Sequence, residues 1–235
     1  MKQYKAILID WDDTLGDWSN AAYLSQQELY EEHHLGEWFA SFEDWFIPYE
    51  AHNNLLWEQY GRGEITKAFL KRDRFLYPMM QQLGMATAPQ ALIKLADTMT
   101  EEFLTKTNSH FRLLPDAKEV VQALADKYPL TVVSNGFKEV QYYKLEHSGL
   151  ISYFRHILVS DEVGINKPQP GIFLRALELN GVSTGEAVMI GDSYSSDIAG
   201  AKAAGIDQIY ICGHPEDERD ATYKVTKLQD VLDLL

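Results

Sequence analysis

Short apolar runs alternate with helix-length segments along the second half of the chain. The predicted strands are residues 130–133, 156–160, 187–190 and 208–211, and the predicted helices start at Pro115 and cover about 138–147, 171–180, 195–204 and 227–234. Strands separated by helices at this spacing form a parallel sheet through right-handed crossovers. The first apolar run, residues 4–9, is continuous, as in strands buried on both faces, and we place it in the same sheet. The pattern predicts an α/β fold, a Rossmann-like core with a parallel five-stranded sheet.

Residues 17–110 show helical periodicity and no convincing strand pattern. We predict helices from Asp17 or Ser19 to about 34, over 42–60, from Thr66 to Gly84, and from Pro89 onward. The residues predicted to share inward faces are Phe69, Leu76, Met79, Met80 and Leu83 in the third helix, and Leu92, Leu95, Ala96, Met99 and Phe103 in the fourth. The sequence therefore predicts an all-helical cap domain, residues 17–110, inserted into a catalytic core made of residues 1–16 and 111–235.

Polar residues collect where the predicted strands end. They are Asp10, Asp12, Asp13 and Thr14 after the first strand, then Ser134 and Asn135, then Lys167, and finally Asp192, Ser193 and Asp197. Taken singly, each group has an ordinary structural explanation, such as a solvated turn, a surface lysine or a helix cap. In an open parallel sheet, however, ligands bind outside the carboxyl ends of the strands. Four polar groups at corresponding strand ends predict one functional site at that edge.

The acidity of the chain limits the ligands that such a site can bind. The 235 residues include 21 Lys and Arg against 35 Asp and Glu, a formal net charge of -14. An acidic surface repels phosphate backbones, so we do not expect nucleic acid polymers as partners. It also disfavours small anions, so an anion site here needs local positive charge from a metal ion, a basic side chain or a helix N-terminus.

The residue types at the predicted site indicate phosphoryl transfer. Asp10 is the candidate nucleophile, which attacks phosphorus and forms an aspartyl-phosphate. Asp12 can protonate the leaving oxygen and then take a proton from the hydrolytic water. Ser134 and Lys167 can hold the remaining phosphoryl oxygens, with Lys167 acting as a point charge.

Neighbouring carboxylates repel one another in a partly desolvated site, so a cation is expected among them. Mg2+ suits a site of oxygen ligands that includes one or two carboxylates and the substrate phosphate. We predict Mg2+ as the cofactor, with Asp10 and Asp192 supplying the carboxylates. We place Ser193 and Asp197 behind these ligands, where Asp197 can orient Lys167 or a metal-bound water.

Four segments of the chain resemble, in order, the motifs of haloacid dehalogenase-like (HAD) hydrolases. They read Asp-Trp-Asp-Asp-Thr-Leu, Val-Ser-Asn-Gly, Lys-Pro-Gln-Pro-Gly-Ile-Phe and Gly-Asp-Ser-Tyr-Ser-Ser-Asp. The resemblance covers the whole chain, including the helical insertion after the first segment. It implies a Mg2+-dependent phosphatase with Asp10 as the nucleophile and Asp12 as the acid/base.

The resemblance also implies roles for residues that the chemistry alone leaves open. It implies that the backbone carbonyl of Asp12 binds the metal, together with Asp10 and Asp192. The residues that match the family's phosphate-handling positions are Thr14, Ser134, Asn135 and Lys167.

Position 12 separates the activities within this family. The dehalogenases lack an acidic residue there, phosphatases and sugar-phosphate mutases carry one, and P-type pumps need membrane spans that this sequence does not show. The chain is also similar to small bacterial 5'-nucleotidases that act on pyrimidine and non-standard nucleoside monophosphates. This likeness rests on the first motif, the following Ser-Asn-Ala, and the segment Ser-Asn-Gly-Phe-Lys-Glu-Val-Gln. The resemblance implies a small phosphate ester, most specifically a nucleoside monophosphate, as the substrate.

Other functions stay open at the level of sequence. Within enzymes they are a phosphoglycolate or sugar-phosphate phosphatase and a phosphosugar mutase. In another class, the chain is a catalytically silent HAD-fold binding protein, although the intact set of Asp10, Asp12, Lys167 and Asp192 argues against it. Tryptophans in the predicted cap can stack on a base but more often form a core; they are Trp18, Trp38, Trp45 and Trp57.

The remaining features indicate where the protein works. A single cysteine, Cys212, excludes a disulfide framework within the chain and fits a reducing compartment. The N-terminus shows no signal-peptide pattern, and no apolar run is long enough to span a bilayer. We predict a cytoplasmic protein without a membrane partner, acting as a monomer or small homo-oligomer.

Overall fold

The computed structural model describes residues 3–235, which form two compact units. The sheet unit contains the chain up to Trp18 together with Phe111–Leu235, and the helical unit is Ser19–His110. Within the described residues, no helix combines the length and the apolar character needed to cross a membrane.

The sheet unit is built on parallel strands. They are β1 (Ala6–Ile9), β2 (Leu130–Ser134), β3 (Phe154–Val159), β4 (Ala187–Gly191), β5 (Asp207–Ile211) and β6 (Tyr223–Val225). Their order is β3-β2-β1-β4-β5-β6, and every neighbouring pair is parallel. The predicted Rossmann-like parallel sheet is confirmed, but the predicted five strands are wrong, because the described chain forms six. β6 has only three residues and includes the exposed Lys224, so no apolar run marks it in the sequence.

β1 occupies the middle of the sheet, between β2 and β4. Its four side chains are fully buried. Ile7 and Ile9 pack into the hydrophobic cluster on one face, and Leu8 packs into the cluster on the other, as expected for alternating side chains of a central strand. The strand order reverses at β1, so the residue after it, Asp10, emerges at the switch point where open α/β sheets bind ligands.

Helices connect the strands and make up the helical unit. They are α1 (Trp18–Glu32), α2 (Phe42–Gly61), α3 (Lys67–Gln82), α4 (Gln90–His110), α5 (Ala117–Ala125), α6 (Lys138–His147), α7 (Ser160–Val163), α8 (Pro170–Asn180) and α9 (Ala199–Ala203). The helix predicted over 227–234 is a 3-10 helix, Leu228–Asp233. The helix predicted over 195–204 is a π-helical turn, Tyr194–Ile198, followed by the short α9. α7 was not predicted, since four residues are too few to show a period.

The helical unit has a core of its own, rich in aromatic rings. The rings of Trp45, Tyr49, Phe75 and Phe103 are buried and contact one another in stacked, tilted or edge-to-face pairs. The predicted inward position of Phe69 is wrong, because its side chain is 48% exposed. The buried stripe of α3 runs instead through Leu70, Arg74, Phe75, Leu76, Pro78 and Met79.

Candidate active site

Asp10 lies at the carboxyl end of the central strand and is held by a buried lysine. Its backbone N–H donates to the carbonyl of Ile190 on β4 (2.9 Å), which extends the sheet pairing by one residue. The Lys167 ammonium donates to Asp10 Oδ1 at 2.6 Å and lies equally close to Asp197 Oδ1. Lys167 and both carboxylates are buried. The structure therefore brings together three of the residues predicted for this site.

A tight turn follows Asp10 and directs the next side chains. The Trp11 carbonyl accepts hydrogen bonds from the backbone N–H groups of Leu15 and Gly16, both at 2.9 Å, and the Gly16 carbonyl accepts from Asp13 N–H at 2.7 Å. Asp13 has a φ of 59°, in the left-handed region that Asp tolerates better than most residues. Asp13 thus contributes its backbone conformation to the turn. This explains why an acidic residue stands at a position to which no side-chain chemistry is assigned.

Thr14 ties this turn to the end of β4. Its buried hydroxyl donates to Asp192 Oδ1 at 2.9 Å and accepts from the Asp192 backbone N–H at 3.1 Å. Thr14, predicted to handle phosphate, is engaged in orienting Asp192 through its hydroxyl. Two predicted site residues from different strand ends are therefore fixed to each other.

Asn135 performs a similar task for Lys167. Its amide donates to the Lys167 carbonyl at 2.9 Å, and its side-chain oxygen accepts from the Lys167 backbone N–H at 2.8 Å. These two hydrogen bonds fix the lysine backbone and leave the second N–H of the Asn135 amide for another acceptor. The neighbouring Ser134 hydroxyl is buried and finds no hydrogen-bond partner within residues 3–235, as expected for a group that binds a ligand.

The turn after β4 places the Asp197 carboxylate next to those of Asp10 and Asp192. The Ser193 carbonyl accepts from the N–H groups of both Asp197 (2.8 Å) and Ile198 (3.3 Å), which makes the turn π-helical. The Ser193 N–H donates back to Asp197 Oδ2 at 3.0 Å. A Cβ at Gly191 would collide with the Asp197 side chain, so glycine at the end of β4 makes room for it.

Three carboxylates, those of Asp10, Asp192 and Asp197, each offer an oxygen within 4.8 Å of the others. Burial, and then the Asp197 charge, raise the pKa of Asp10 well above its usual range and raise that of Asp192 to about 7. Burial lowers the pKa of Lys167, but Asp10 and Asp197 raise it by more. One ammonium balances one of three negative charges, so the site favours a further cation.

The oxygen donors fit a divalent metal ion of the Mg2+ type. Asp197 is already bound to Lys167 and to the Ser193 N–H, which leaves Asp10 and Asp192 as the carboxylates suited to hold the ion. The sequence predicts the same division of tasks for Asp10, Asp192, Ser193 and Asp197, and it stays a prediction.

Asp12 stands apart from this cluster and contacts α6 instead. Its Oδ1 accepts from the Lys144 ammonium at 2.5 Å, and its Oδ2 accepts from the Gln141 amide at 2.8 Å. The side chain of Lys144 is only 1% exposed, and its Nζ lies 3.9 Å from the centroid of the Trp18 ring. Burial lowers the pKa of Lys144 in spite of the nearby Asp12 carboxylate.

Gln141 and Lys144 were not among the functional residues predicted from the sequence. The signal was nevertheless present, because both occupy the buried stripe of α6 together with Val140 and Leu145. A polar and a charged residue at positions where the helical period calls for apolar ones indicate a buried partner. Gly136 serves the same arrangement, since a Cβ there would overlap the Gln141 side chain.

Comparisons with known proteins agree with this geometry. A family model described as haloacid dehalogenase-like hydrolase matches residues 4–205. The pyrimidine 5'-nucleotidase PynA of Streptococcus pneumoniae is 29% identical over 99% of this chain and 95% of its own length, and YjjG of Escherichia coli, also a pyrimidine 5'-nucleotidase, is 28% identical over 97% and 96%. The crystal structure of the HAD-hydrolase YfnB from Bacillus subtilis, bound to magnesium, matches with a TM-score of 0.84 and 26% identity over 100% of this chain and 99% of that one.

The family match extends over all four groups of polar residues, from Asp10 at the end of β1 to Asp197 after β4. The solved structure with a TM-score of 0.84 covers both units of the chain. The resemblance inferred from the four sequence segments is confirmed, and the chain belongs to the haloacid dehalogenase-like hydrolases.

Proposed function

We propose that the protein is a Mg2+-dependent phosphomonoesterase that acts through an aspartyl-phosphate and prefers nucleoside 5'-monophosphates. The observation that carries the proposal is the separation of two nearby carboxylates. Asp10 pairs with Lys167 inside the acidic cluster, whereas Asp12 pairs with Lys144 and Gln141 outside it. Two carboxylates in different environments can perform different tasks, one as nucleophile and one as acid/base.

The first half-reaction transfers the phosphoryl group to Asp10. An oxygen of the Asp10 carboxylate attacks phosphorus, and the bond between phosphorus and the leaving oxygen breaks. Asp12 donates a proton to that oxygen, so the alcohol leaves neutral. For this donation Asp12 must carry a proton, while Lys144 and Gln141 hold its carboxyl group in place.

The second half-reaction restores the enzyme. Asp12, now ionised, takes a proton from a water molecule, whose oxygen attacks phosphorus. The bond between phosphorus and Asp10 breaks, and inorganic phosphate leaves. Asp12 ends protonated, as it began, so the cycle balances.

Charge develops on the phosphoryl oxygens during both steps, and the site supplies groups to stabilise it. Lys167 is fixed next to Asp10 by Asp197 and by the two hydrogen bonds that its backbone forms with the Asn135 side chain. The Ser134 hydroxyl, which has no hydrogen-bond partner among residues 3–235, can donate to a phosphoryl oxygen. Asp10, Asp192 and the Asp12 carbonyl would hold Mg2+, which, when bound, neutralises phosphate charge and lowers the repulsion between the two carboxylates.

The preference for nucleoside monophosphates rests on the relatives. PynA and YjjG, both pyrimidine 5'-nucleotidases, align with nearly all of this chain. We propose that the sheet unit is the catalytic core and that the helical unit is the cap that selects the organic part of the substrate. The alternative activities are those of a phosphoglycolate or sugar-phosphate phosphatase and of a phosphosugar mutase. A substrate screen distinguishes them from a nucleotidase.

The test is a hydrolysis screen with Mg2+ and with EDTA in its place. We expect phosphate release from uridine, thymidine and cytidine 5'-monophosphates with a higher kcat/KM than from phosphoglycolate or hexose phosphates. EDTA should remove activity, and added Mg2+ should restore it, because Asp10 and Asp192 then regain their counter-charge. A preference for phosphoglycolate or a hexose phosphate would contradict the nucleotidase assignment, and no Mg2+-dependent hydrolysis of any ester would favour a silent binding protein.

Replacing Lys144 with Met tests the separate environment of Asp12. The leaving group of uridine monophosphate, uridine, is a poor one and needs a proton. We therefore expect kcat/KM for this ester to fall by about 10- to 100-fold, within the range that general acid catalysis contributes. The kcat/KM for p-nitrophenyl phosphate should fall much less, because its leaving group needs little proton donation. kcat/KM is the measured quantity, since it reports the first half-reaction.

Lys138→Met is the matched control for this variant. Lys138 lies on the same helix, is 55% exposed, and pairs with Glu162 on the surface, so its loss should leave both esters unaffected. Equal losses for both esters in Lys144→Met, accompanied by a lower unfolding temperature, would mean that Lys144 supports the fold and does not act through Asp12.

A further inference from the structure

Trp18 covers the buried ammonium of Lys144. It is the first residue of α1 and belongs to the sheet unit, and its side chain is half-buried. The Lys144 Nζ atom lies 3.9 Å from the centroid of the Trp18 ring and 2.5 Å from Asp12 Oδ1. One ammonium therefore joins an aromatic ring to the candidate acid/base.

Backbone hydrogen bonds hold Trp18 in this place. Its N–H donates to the Gly16 carbonyl at 2.9 Å, and the N–H of the neighbouring Asp17 donates to the Arg112 carbonyl at the same distance. A backbone bridge also joins Gly16 to Asp12. The ring and the candidate acid/base are thus carried by one hydrogen-bonded segment of the sheet unit.

The Lys144 side chain needs more than one anchor to keep its charge at a fixed point. Four methylene groups separate the ammonium from the backbone, and the ammonium has three N–H donors. Within residues 3–235 its one hydrogen-bond acceptor is Asp12 Oδ1, and the side chain is 1% exposed, so bulk water replaces few of the missing acceptors. The N–H groups that Asp12 does not bind therefore need another partner.

The electron-rich face of an indole is suited to be that partner. Tryptophan attracts a cation more strongly than the other aromatic side chains, and the attraction is largest where water is excluded. A carboxylate in place of the ring would compete with Asp12 for the ammonium and would add negative charge beside an acidic cluster. An aliphatic side chain would leave the N–H groups without a partner. The ring stabilises the ammonium and adds no charge to the site.

We propose that Trp18 is a positioning residue for proton donation by Asp12. Its ring holds the Lys144 ammonium against Asp12 Oδ1, and the ammonium in turn holds the carboxyl group that protonates the leaving oxygen. This role rests on the proposed phosphatase function and requires no contact between Trp18 and the substrate. Because the ring acts through Lys144, its effect on catalysis must disappear when the ammonium is removed.

The experiment compares Trp18→Leu with the parent protein on two esters. We expect kcat/KM for uridine monophosphate to fall by about 5- to 30-fold, the effect of losing a cation–π contact in a desolvated site. The kcat/KM for p-nitrophenyl phosphate should change less than about twofold, because its leaving group needs little proton donation. Trp18→Phe keeps an aromatic face and should stay within about threefold of the parent with both esters.

Combining Trp18→Leu with Lys144→Met tests whether the ring acts through the ammonium. Once Lys144 is replaced, loss of the ring should lower kcat/KM for uridine monophosphate by less than about a further twofold. Losses that multiply would show that Trp18 acts independently of Lys144, and would overturn the proposal. Tyr142→Leu is the matched control, because the Tyr142 ring lies 5.8 Å from Nζ of the exposed Lys138 on the same helix, and its loss should leave both esters unaffected.

Urea unfolding of the parent, the two single variants and the double variant measures the contact without turnover. If the ring binds the ammonium, the two losses in free energy of unfolding should not add up in the double variant, and additive losses would overturn the proposal. Trp18→Met takes the place of Trp18→Leu in every comparison if the leucine variant does not fold.

The remaining outcomes separate this role from the proposed function. No loss with uridine monophosphate in Trp18→Leu, an equal loss with both esters, or a loss as large in Trp18→Phe would refute the role of Trp18 alone. Hydrolysis of neither ester by the parent would refute the proposed function and this role together.

Discussion

Replacing Asp10 with Asn is expected to abolish turnover of every phosphate ester, by at least about 10^4-fold in kcat, as for enzymes that lose their nucleophile. An amide does not attack phosphorus in place of the carboxylate, and it also weakens the metal site. The fold should survive, because Lys167 keeps Asp197 Oδ1 at 2.6 Å and remains bound to Asn135 through its backbone. Steady-state phosphate release and the unfolding temperature are the two measurements.

Asp13→Asn is the matched control for that variant. It removes a carboxylate three residues away, and Asn tolerates the left-handed backbone at this position, where φ is 59°. We expect turnover within a few-fold of the parent. Borohydride reduction of the acyl-phosphate, followed by peptide mass spectrometry, should modify Asp10 in the parent. Substantial Mg2+-dependent hydrolysis by Asp10→Asn, or modification at another residue, would show that the nucleophile has been misassigned.

The parallel sheet could be predicted because its signals are local and repeated. Each main strand is an apolar run followed by a helix-length segment, and right-handed crossovers leave few alternatives for their arrangement. β6 was not predicted because it contains no apolar run. It is a strand only because this part of the chain lies at the edge of the sheet and pairs with β5. The π-helical turn was not predicted for a similar reason. It depends on how the Asp197 side chain fits against Gly191 and not on the hydrophobic period of the segment.

The candidate site was likewise predicted only in part. Asp10, Lys167 and Asp192 were predicted because each follows a strand, and parallel strands bring such ends to one edge. The partners of Asp12 were not, because Lys144 lies 132 positions further along the chain, in the middle of a helix, and reaches the site only through the docking of α6.

Replacing Asp12 with Asn should slow steady-state turnover by about 10^2- to 10^4-fold, the usual contribution of a general acid/base. The substituted side chain can remain in place, because its oxygen can accept from Lys144. The Gln141 amide can turn its Oε1, which has no partner in the described part of the chain, toward the new donor. The loss should therefore reflect proton transfer and not a displaced loop.

The two half-reactions should respond differently to this variant when the leaving group is changed. With p-nitrophenyl phosphate, attack by Asp10 needs little help from an acid, so the first step proceeds and the aspartyl-phosphate accumulates, because no base activates the hydrolytic water. Rapid-quench measurements should then show a burst of p-nitrophenol followed by slow turnover. With uridine monophosphate the first step is itself slow, and no burst should occur. Undiminished steady-state turnover would refute the acid/base role of Asp12, and a burst of equal size with both esters would confine that role to the second half-reaction.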